Sequence, residues 1–209
     1  MTQSPHLRSR KGKDIMSAGC LVFSVGHSDH PLDVFVGLLR MHDIHLVADI
    51  RSQPYSAHAP QYNIGSLRRR LGEAGFQYVY LGDELGGRPR DARFYDPTGR
   101  VMYSLVARSP DFLRGINDLE EAARKLRVAM LCSEENPSVC HRHLLVGRVL
   151  SERGGRILHI RRDGRLQTGE ELTPLSGGQT GLFNESEDVE WKSIRSVSLG
   201  RQQRNSSKR

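Results

Sequence analysis

Residues 128–142 read VAMLCSEENPSVCHR, and the arrangement of apolar and polar positions in that stretch decides the fold class. Val128-Ala129-Met130-Leu131 is a continuous apolar run, without the alternation of a strand that keeps one face in water. It predicts a strand over Arg127 to Leu131 that is buried on both faces, as strands of parallel sheets are. Beyond Pro137, apolar residues recur at helical spacing from Ser138 to Arg153, and Gly154-Gly155 ends the run. Arg156 to Ile160 is short and apolar again. Strand, helix and strand in that order make a βαβ unit.

The same grammar extends toward the N-terminus. Cys20 to Val25 predicts a first strand ended by Gly26, and Pro31 to Met41 a helix, with Asp29 as its cap and Pro31 in the first turn. His45 to Ile50 predicts a second strand, Ile64 to Ala74 a helix stopped at Gly75, Phe76 to Leu81 a third strand and Asp111 to Leu126 a helix. Five strands alternating with four helices imply right-handed crossovers. The expected fold is therefore α/β, a mostly parallel five-stranded sheet with helices on both faces, Rossmann-like and three-layered. Residues 1–18 read as a disordered leader, 19–160 as a single domain, and 161–209 as a largely disordered charged tail, because periodicity is lost after Ile160. Met16, directly before the first strand, is a candidate natural start.

Composition narrows the function classes. No run approaches the ~18 apolar residues of a membrane span, and the N-terminus is polar and basic without an apolar signal region. Three cysteines, Cys20, Cys132 and Cys140, without an export signal suggest reduced thiols and a cytoplasmic location. The formal charge of +7 is uneven: +3 over residues 1–18, +2 over 19–160, −4 over 161–190 and +6 over 191–209. Basicity at the ends gives a salt-sensitive attraction to phosphate polymers, so nucleic acid is a candidate partner of the tail. There is no GxGxxG and no GxxxxGK[ST], which sets aside the common dinucleotide and P-loop sites.

Ligands of open α/β sheets bind beyond the carboxyl ends of the strands. That rule gathers His27 after strand one, Asp49, Arg51 and Ser52 after strand two, Glu84, Gly86, Gly87 and Arg88 after strand three, and Cys132, Glu134, Cys140, His141 and Arg142 after strand four. Cys132, Glu134, Cys140, His27 and Asp49 are the candidate catalytic groups. Arg51, Ser52, Glu84, Gly86, Gly87, Arg88, His141 and Arg142 are the candidate binding groups, and the expected ligand is phosphate-bearing or otherwise anionic. Asp49 and Arg51 read equally as an ion pair that holds the loop. Cys140 is expected in the first turn of the fourth helix, where unpaired amides, His141 and Arg142 would lower its pKa below that of Cys132. Loops 51–63 and 82–100 are long enough to be functional. Cys132, Cys140, His141 and His143 match no common zinc spacing, so neither metal nor other cofactor is expected.

The stretches Ser24-Val25-Gly26-His27-Ser28, Asp49-Ile50-Arg51-Ser52-Gln53-Pro54, Leu81-Gly82-Asp83-Glu84-Leu85-Gly86-Gly87-Arg88 and Leu131-Cys132-Ser133-Glu134 to Cys140-His141-Arg142 resemble domain-of-unknown-function family 488. The four ordered motifs cover residues 20–160. The resemblance implies a small cytoplasmic α/β domain and carries no reaction or substrate with it. One departure is Ala57-His58, where the family usually has an arginine shortly after the second motif.

Three functional readings follow: an enzyme acting on a nucleotide or nucleic-acid substrate, an adaptor that binds an anion or nucleic acid without chemistry, and a thiol redox protein using Cys132 and Cys140. The redox reading needs the intervening loop to fold back. In the tail, Gln179, Leu182 and Phe183 resemble a sliding-clamp-binding peptide, which would dock by its apolar anchors.

Overall fold

The computed structural model of the chain describes residues 19–172 and 191–196. In chain order the elements are β1 (Leu21–Gly26), α1 (Leu32–Met41), β2 (Leu46–Asp49), α2 (Ile64–Glu73), β3 (Gln77–Tyr80), α3 (Gly82–Leu85), α4 (Tyr103–Val106), α5 (Pro110–Lys125), β4 (Val128–Cys132), α6 (Arg148–Glu152), β5 (Arg156–Ile160), β6 (Leu166–Thr168) and α7 (Gly169–Leu172). The strands form one sheet in the order β3-β2-β4-β1-β5-β6. All neighbours pair in parallel except β5 and β6.

Side chains alternate across the sheet and feed two cores. Val22, Ala48, Val128 and Met130 join one cluster with Phe112, Ile116 and Leu119 of α5 and Val149 and Leu150 of α6. Phe23, Val25, Val47, Ala129 and Leu131 join the other with Phe35 and Leu39 of α1 and Leu67 and Leu71 of α2. The central strand β4 is buried at every position, so it shows no polar alternation, as the sequence of that strand predicts.

The structure corrects several details. The sheet has six strands where five are expected, because the chain turns at Gly164 (φ 82°) and returns as β6 against β5. Asp29 does not cap α1; Pro31 occupies the cap position and the Asp29 carboxylate meets Arg162 at 3.0 Å. The helix expected from Ser138 to Arg153 is assembled from a 3-10 turn at Pro137–Val139, a π-helical stretch at Arg142–Gly147 and α6. The two long loops contain short helical turns, at Pro60–Tyr62 in the first and at Gly82–Leu85 and Ala92–Phe94 in the second.

Residues 191–196 pack on the same body. Lys192 bridges to Met102, the Ser193 amide donates to the Val101 carbonyl at 2.8 Å, and Trp191 Nε1 donates to the Leu144 carbonyl at 2.9 Å. The Arg148 guanidinium lies 4.2 Å from the Trp191 ring centroid, a cation–π contact. The leader 1–18, the peptide containing Gln179, Leu182 and Phe183, and residues 197–209 lie outside the described residues. Among the described residues no helix is long and apolar enough to cross a membrane.

Candidate functional site

The sheet topology decides which strand ends come together. β1 and β4 are neighbours, with Gly26 opposite Cys132. The chain leaving β1 enters α1 over one core, whereas the chain leaving β4 runs into α6 over the other. Adjacent strands whose connections depart to opposite faces open a crevice between them, the switch point where such sheets bind ligands.

At that crevice two buried thiols and a half-buried imidazole are brought together. The segment after β4 folds back through its 3-10 turn, and Cys140, in extended conformation just before the π-helical stretch, returns its sulfur to the strand end. Cys132 Sγ and Cys140 Sγ are 3.3 Å apart, and each lies 3.8 Å from His141 Nδ1. His141 Nε2 is 3.1 Å from the Ile50 carbonyl, which can only accept, so Nε2 carries a proton and Nδ1 faces the sulfurs. Gly87 closes the outer side of the ring, where a Cβ would lie 2.6 Å from His141 Cγ. Spacing alone argues against a metal-ligand set here, yet the three donor atoms lie within 4.8 Å of one another.

The expected order of thiol acidity is reversed. The hydrogen bond from Cys140, aided by His141 and Arg142, holds the Cys132 thiol well below its ordinary value despite burial. Burial and the neighbouring Cys132 sulfur push Cys140 well above, and the Arg142 amide hydrogen bond does not offset them. The two sulfurs share one readily lost proton, with Cys132 the more acidic of the pair. Cys140 escapes the expected activation because its side chain turns inward, with only 2% of the residue exposed, before the helix begins.

Both of the arginines nearest the cluster are committed to the protein. Arg51 bonds Asp49 through Nε at 2.8 Å and Nη2 at 2.6 Å, the Tyr62 carbonyl at 2.9 Å and His27 Nε2 at 3.2 Å. Burial lowers its pKa, but the bond to and charge of Asp49 outweigh that and leave it raised. Asp49 and Arg51 are thus a loop-holding ion pair, of the two arrangements their spacing allows. Arg142 is fully buried; it donates to Ser24 Oγ at 3.3 Å, to the Glu134 carbonyl, and to the Glu135 carbonyl at 2.6 Å. A buried guanidinium bonded to two loop carbonyls and a strand hydroxyl braces the 133–136 loop over β1 rather than forking onto a ligand. That loop needs Gly26, since a Cβ there would lie 1.9 Å from the Glu134 carbonyl oxygen.

His27 is spent as well. Its Nε2 accepts from Arg51, its Nδ1 meets the Ser28 carbonyl at 2.9 Å, and its ring stacks on Tyr62 at 4.1 Å. Burial and the Arg51 charge lower its pKa to about 4. Glu134 and Arg88 are exposed at the rim, as is His58. Ser52 Oγ accepts from the Arg88 amide at 2.8 Å, and a Cβ on Gly86 would lie 2.4 Å from that oxygen. Ser52, Glu84, Gly86 and Arg88 line a separate cavity of about 320 Å³ together with Arg90 and Arg93.

Sequence reasoning missed several supports. Tyr78 donates to Asp49 at 2.8 Å, and burial pushes its phenol up. Ser24 lies 2.6 Å from His159 Nδ1, and His159 Nε2 lies 3.2 Å from His143 Nδ1. Burial lowers His159 to about 3. The one available signal was Ser24, a hydroxyl between Phe23 and Val25 in an otherwise apolar strand, which must find a buried partner.

Fold and site together define a doubly wound, mostly parallel α/β protein with two buried thiols and a half-buried imidazole clustered at its topological switch point. The chain belongs to the family described as Domain of unknown function DUF488, whose model matches residues 31–149. No curated protein and no solved structure matches it.

Proposed function

We propose that the protein is a thiol redox protein that works through Cys132 and Cys140. The observation carrying this reading is the 3.3 Å separation of the two sulfurs, across a loop folded back as the redox reading requires. Bringing them to the ~2.05 Å of a disulfide needs only a small side-chain rotation. Cys132, the more acidic of the pair, is the attacking sulfur and Cys140 resolves it. With 6% and 2% of the residues exposed, the pair suits a small oxidant such as a hydroperoxide over a bulky disulfide. The Cys132 thiolate attacks the terminal peroxide oxygen; the O–O bond breaks, leaving a sulfenic acid and releasing hydroxide or alkoxide. The Cys140 sulfur then attacks the Cys132 sulfur to form the disulfide, and the Cys140 proton, passed through His141 Nδ1, goes to the sulfenic hydroxyl, which leaves as water. Treating the reduced full chain with stoichiometric hydrogen peroxide should give a Cys132–Cys140 disulfide on peptide mapping. Cys140→Ser should instead leave Cys132 as a sulfenic acid that dimedone labels. Oxidation of Cys20 alone, or no disulfide at all, overturns the reading.

A second reading, a nucleotide or other phosphate-bearing ligand, rests on Arg88 at the wall of the 320 Å³ cavity, where Arg90 and Arg93 are paired with Asp83 and Asp91 and where Glu84 and Asp111 also lie. Arg88 makes no side-chain ion pair among those of the described residues, so its guanidinium is the candidate anion donor. Calorimetric titration with a nucleoside monophosphate should show binding that Arg88→Ala weakens roughly tenfold, the worth of a charge-assisted hydrogen bond. No heat at millimolar nucleotide removes this reading and leaves the thiol reading untouched.

A further inference from the structure

We propose that Cys132, Cys140 and His141 also form a three-ligand site for one zinc(II) ion, with the fourth coordination position open to water or a small ligand. The proposal uses the same reduced thiols as the redox reading and assigns them a resident cation.

Geometry is the first argument. Tetrahedral zinc with bonds of about 2.3 Å to sulfur and about 2.0 Å to nitrogen places its sulfurs about 3.8 Å apart and its nitrogen about 3.5 Å from each. The donor atoms here are separated by 3.3 Å between sulfurs and 3.8 Å from each sulfur to His141 Nδ1. Each distance is within ~0.5 Å of the requirement, a shift that small χ1 rotations of the cysteines supply.

The surroundings of the imidazole are the second argument. A metal-binding histidine normally donates its other N–H to a carbonyl or carboxylate, which sets the tautomer and ring direction. His141 does this through Nε2 to the Ile50 carbonyl at 3.1 Å, and Nδ1 faces both sulfurs. Gly87 supports the ring from outside, since no side chain fits between its backbone and Cγ. The ring is thus pre-oriented by two separate strand-end loops. Donor softness is the third argument: two thiolates and an imidazole select zinc or copper(I) and exclude calcium and magnesium. Two thiolates also neutralise a dication, so a buried zinc complex carries no net charge into the core, unlike a lone thiolate.

The test uses the full chain, reduced with a phosphine and stripped with a chelator. Cobalt(II) is titrated as a spectroscopic probe, and zinc(II) is then titrated in competition with a chelating dye. One cobalt per chain should appear with thiolate-to-cobalt charge-transfer bands and tetrahedral d–d bands, and zinc should displace it. Cys132→Ser, Cys140→Ser and His141→Ala should each weaken zinc by more than the roughly 10- to 100-fold typical of losing an outer-shell partner. Gly87→Ala, which displaces the ring, should fall within that range. Where a serine variant fails to fold, zinc protection of the wild-type Cys132 and Cys140 from a maleimide, mapped by mass spectrometry, reads the same contact. Absence of charge-transfer bands in folded wild type, or zinc affinity indifferent to Cys132→Ser, overturns the proposal. A disulfide without metal binding refutes the zinc site alone, and metal binding without a disulfide refutes the redox reading alone.

Discussion

His27 and His159 are imidazoles that the fold keeps neutral, and that has a measurable consequence. His27 is lowered to about 4 by burial and Arg51, and His159 to about 3 by burial, with His143 and Arg142 adding to it. In the unfolded chain both titrate near ~6.5. Between those values the unfolded chain binds protons that the folded chain refuses, so stability falls as pH drops. The full contribution is present above pH ~6.5 and is lost progressively toward pH ~4 for His27 and lower still for His159. At about 1.36 kcal/mol per unit, His27 alone contributes about 3 kcal/mol across its window. Urea midpoints should therefore fall steeply between pH 7 and pH 5, and His159→Gln should flatten the slope. A midpoint constant over that range would mean that these rings are not buried neutral. The same fine-grained view explains the cysteines. The residues flanking Cys140 suggest activation, but the direction of one side chain gives the low-pKa role to Cys132.

At the scale of elements, the π-helical stretch and the strap formed by residues 191–196 are the features with consequences. The π-helical stretch Arg142–Gly147 follows the cluster directly, and Gly147 sits where a Cβ would lie 3.1 Å from the Arg142 carbonyl. Such widened turns recur at functional sites. The strap is a stability element: Trp191 packs against the core that holds Leu144, Leu145 and Tyr103, and its indole N–H is bonded. Ending the chain at Ile160 would remove β6, which covers the β5 edge, along with the strap. The truncated chain should melt well below the full chain, and Trp191→Ala in the full chain should cost roughly 1–3 kcal/mol, the worth of a part-buried aromatic. A truncated chain that melts like the full one would return the domain boundary to Ile160, where the loss of sequence periodicity places it.

Across the whole molecule, what could be read from the residues and what could not divides along a physical line. Continuous apolar runs such as Val128 to Leu131 are local facts, and with their intervening helical spacing they determine a parallel α/β sheet, its two faces and the edge where polar residues collect. Gly75 and Gly154 end their helices at positive φ, as the helix-stop reading requires. β6 was not legible, because a three-residue antiparallel edge strand, Leu166-Gln167-Thr168, has too little pattern to separate from a polar loop. The strap was not legible because a single tryptophan after a polar stretch names no docking site. Which residues follow the carboxyl ends of the strands was legible for the same reason as the sheet: strand ends are local. The role of each member was not. Whether Arg51 and Arg142 bind a ligand or brace loops depends on Asp49, Tyr62, Ser24, Glu134 and Glu135, which tertiary folding brings to them. Whether Cys132 and Cys140 meet depends on a loop folding back over Gly26. Sequence by itself determined the fold class and the residues that gather at the strand ends, because backbone propensity and burial period act over neighbouring residues. Only the tertiary structure decided that the two thiols meet and which arginines are spent, because hydrogen bonds and desolvation are set by atoms distant in the chain.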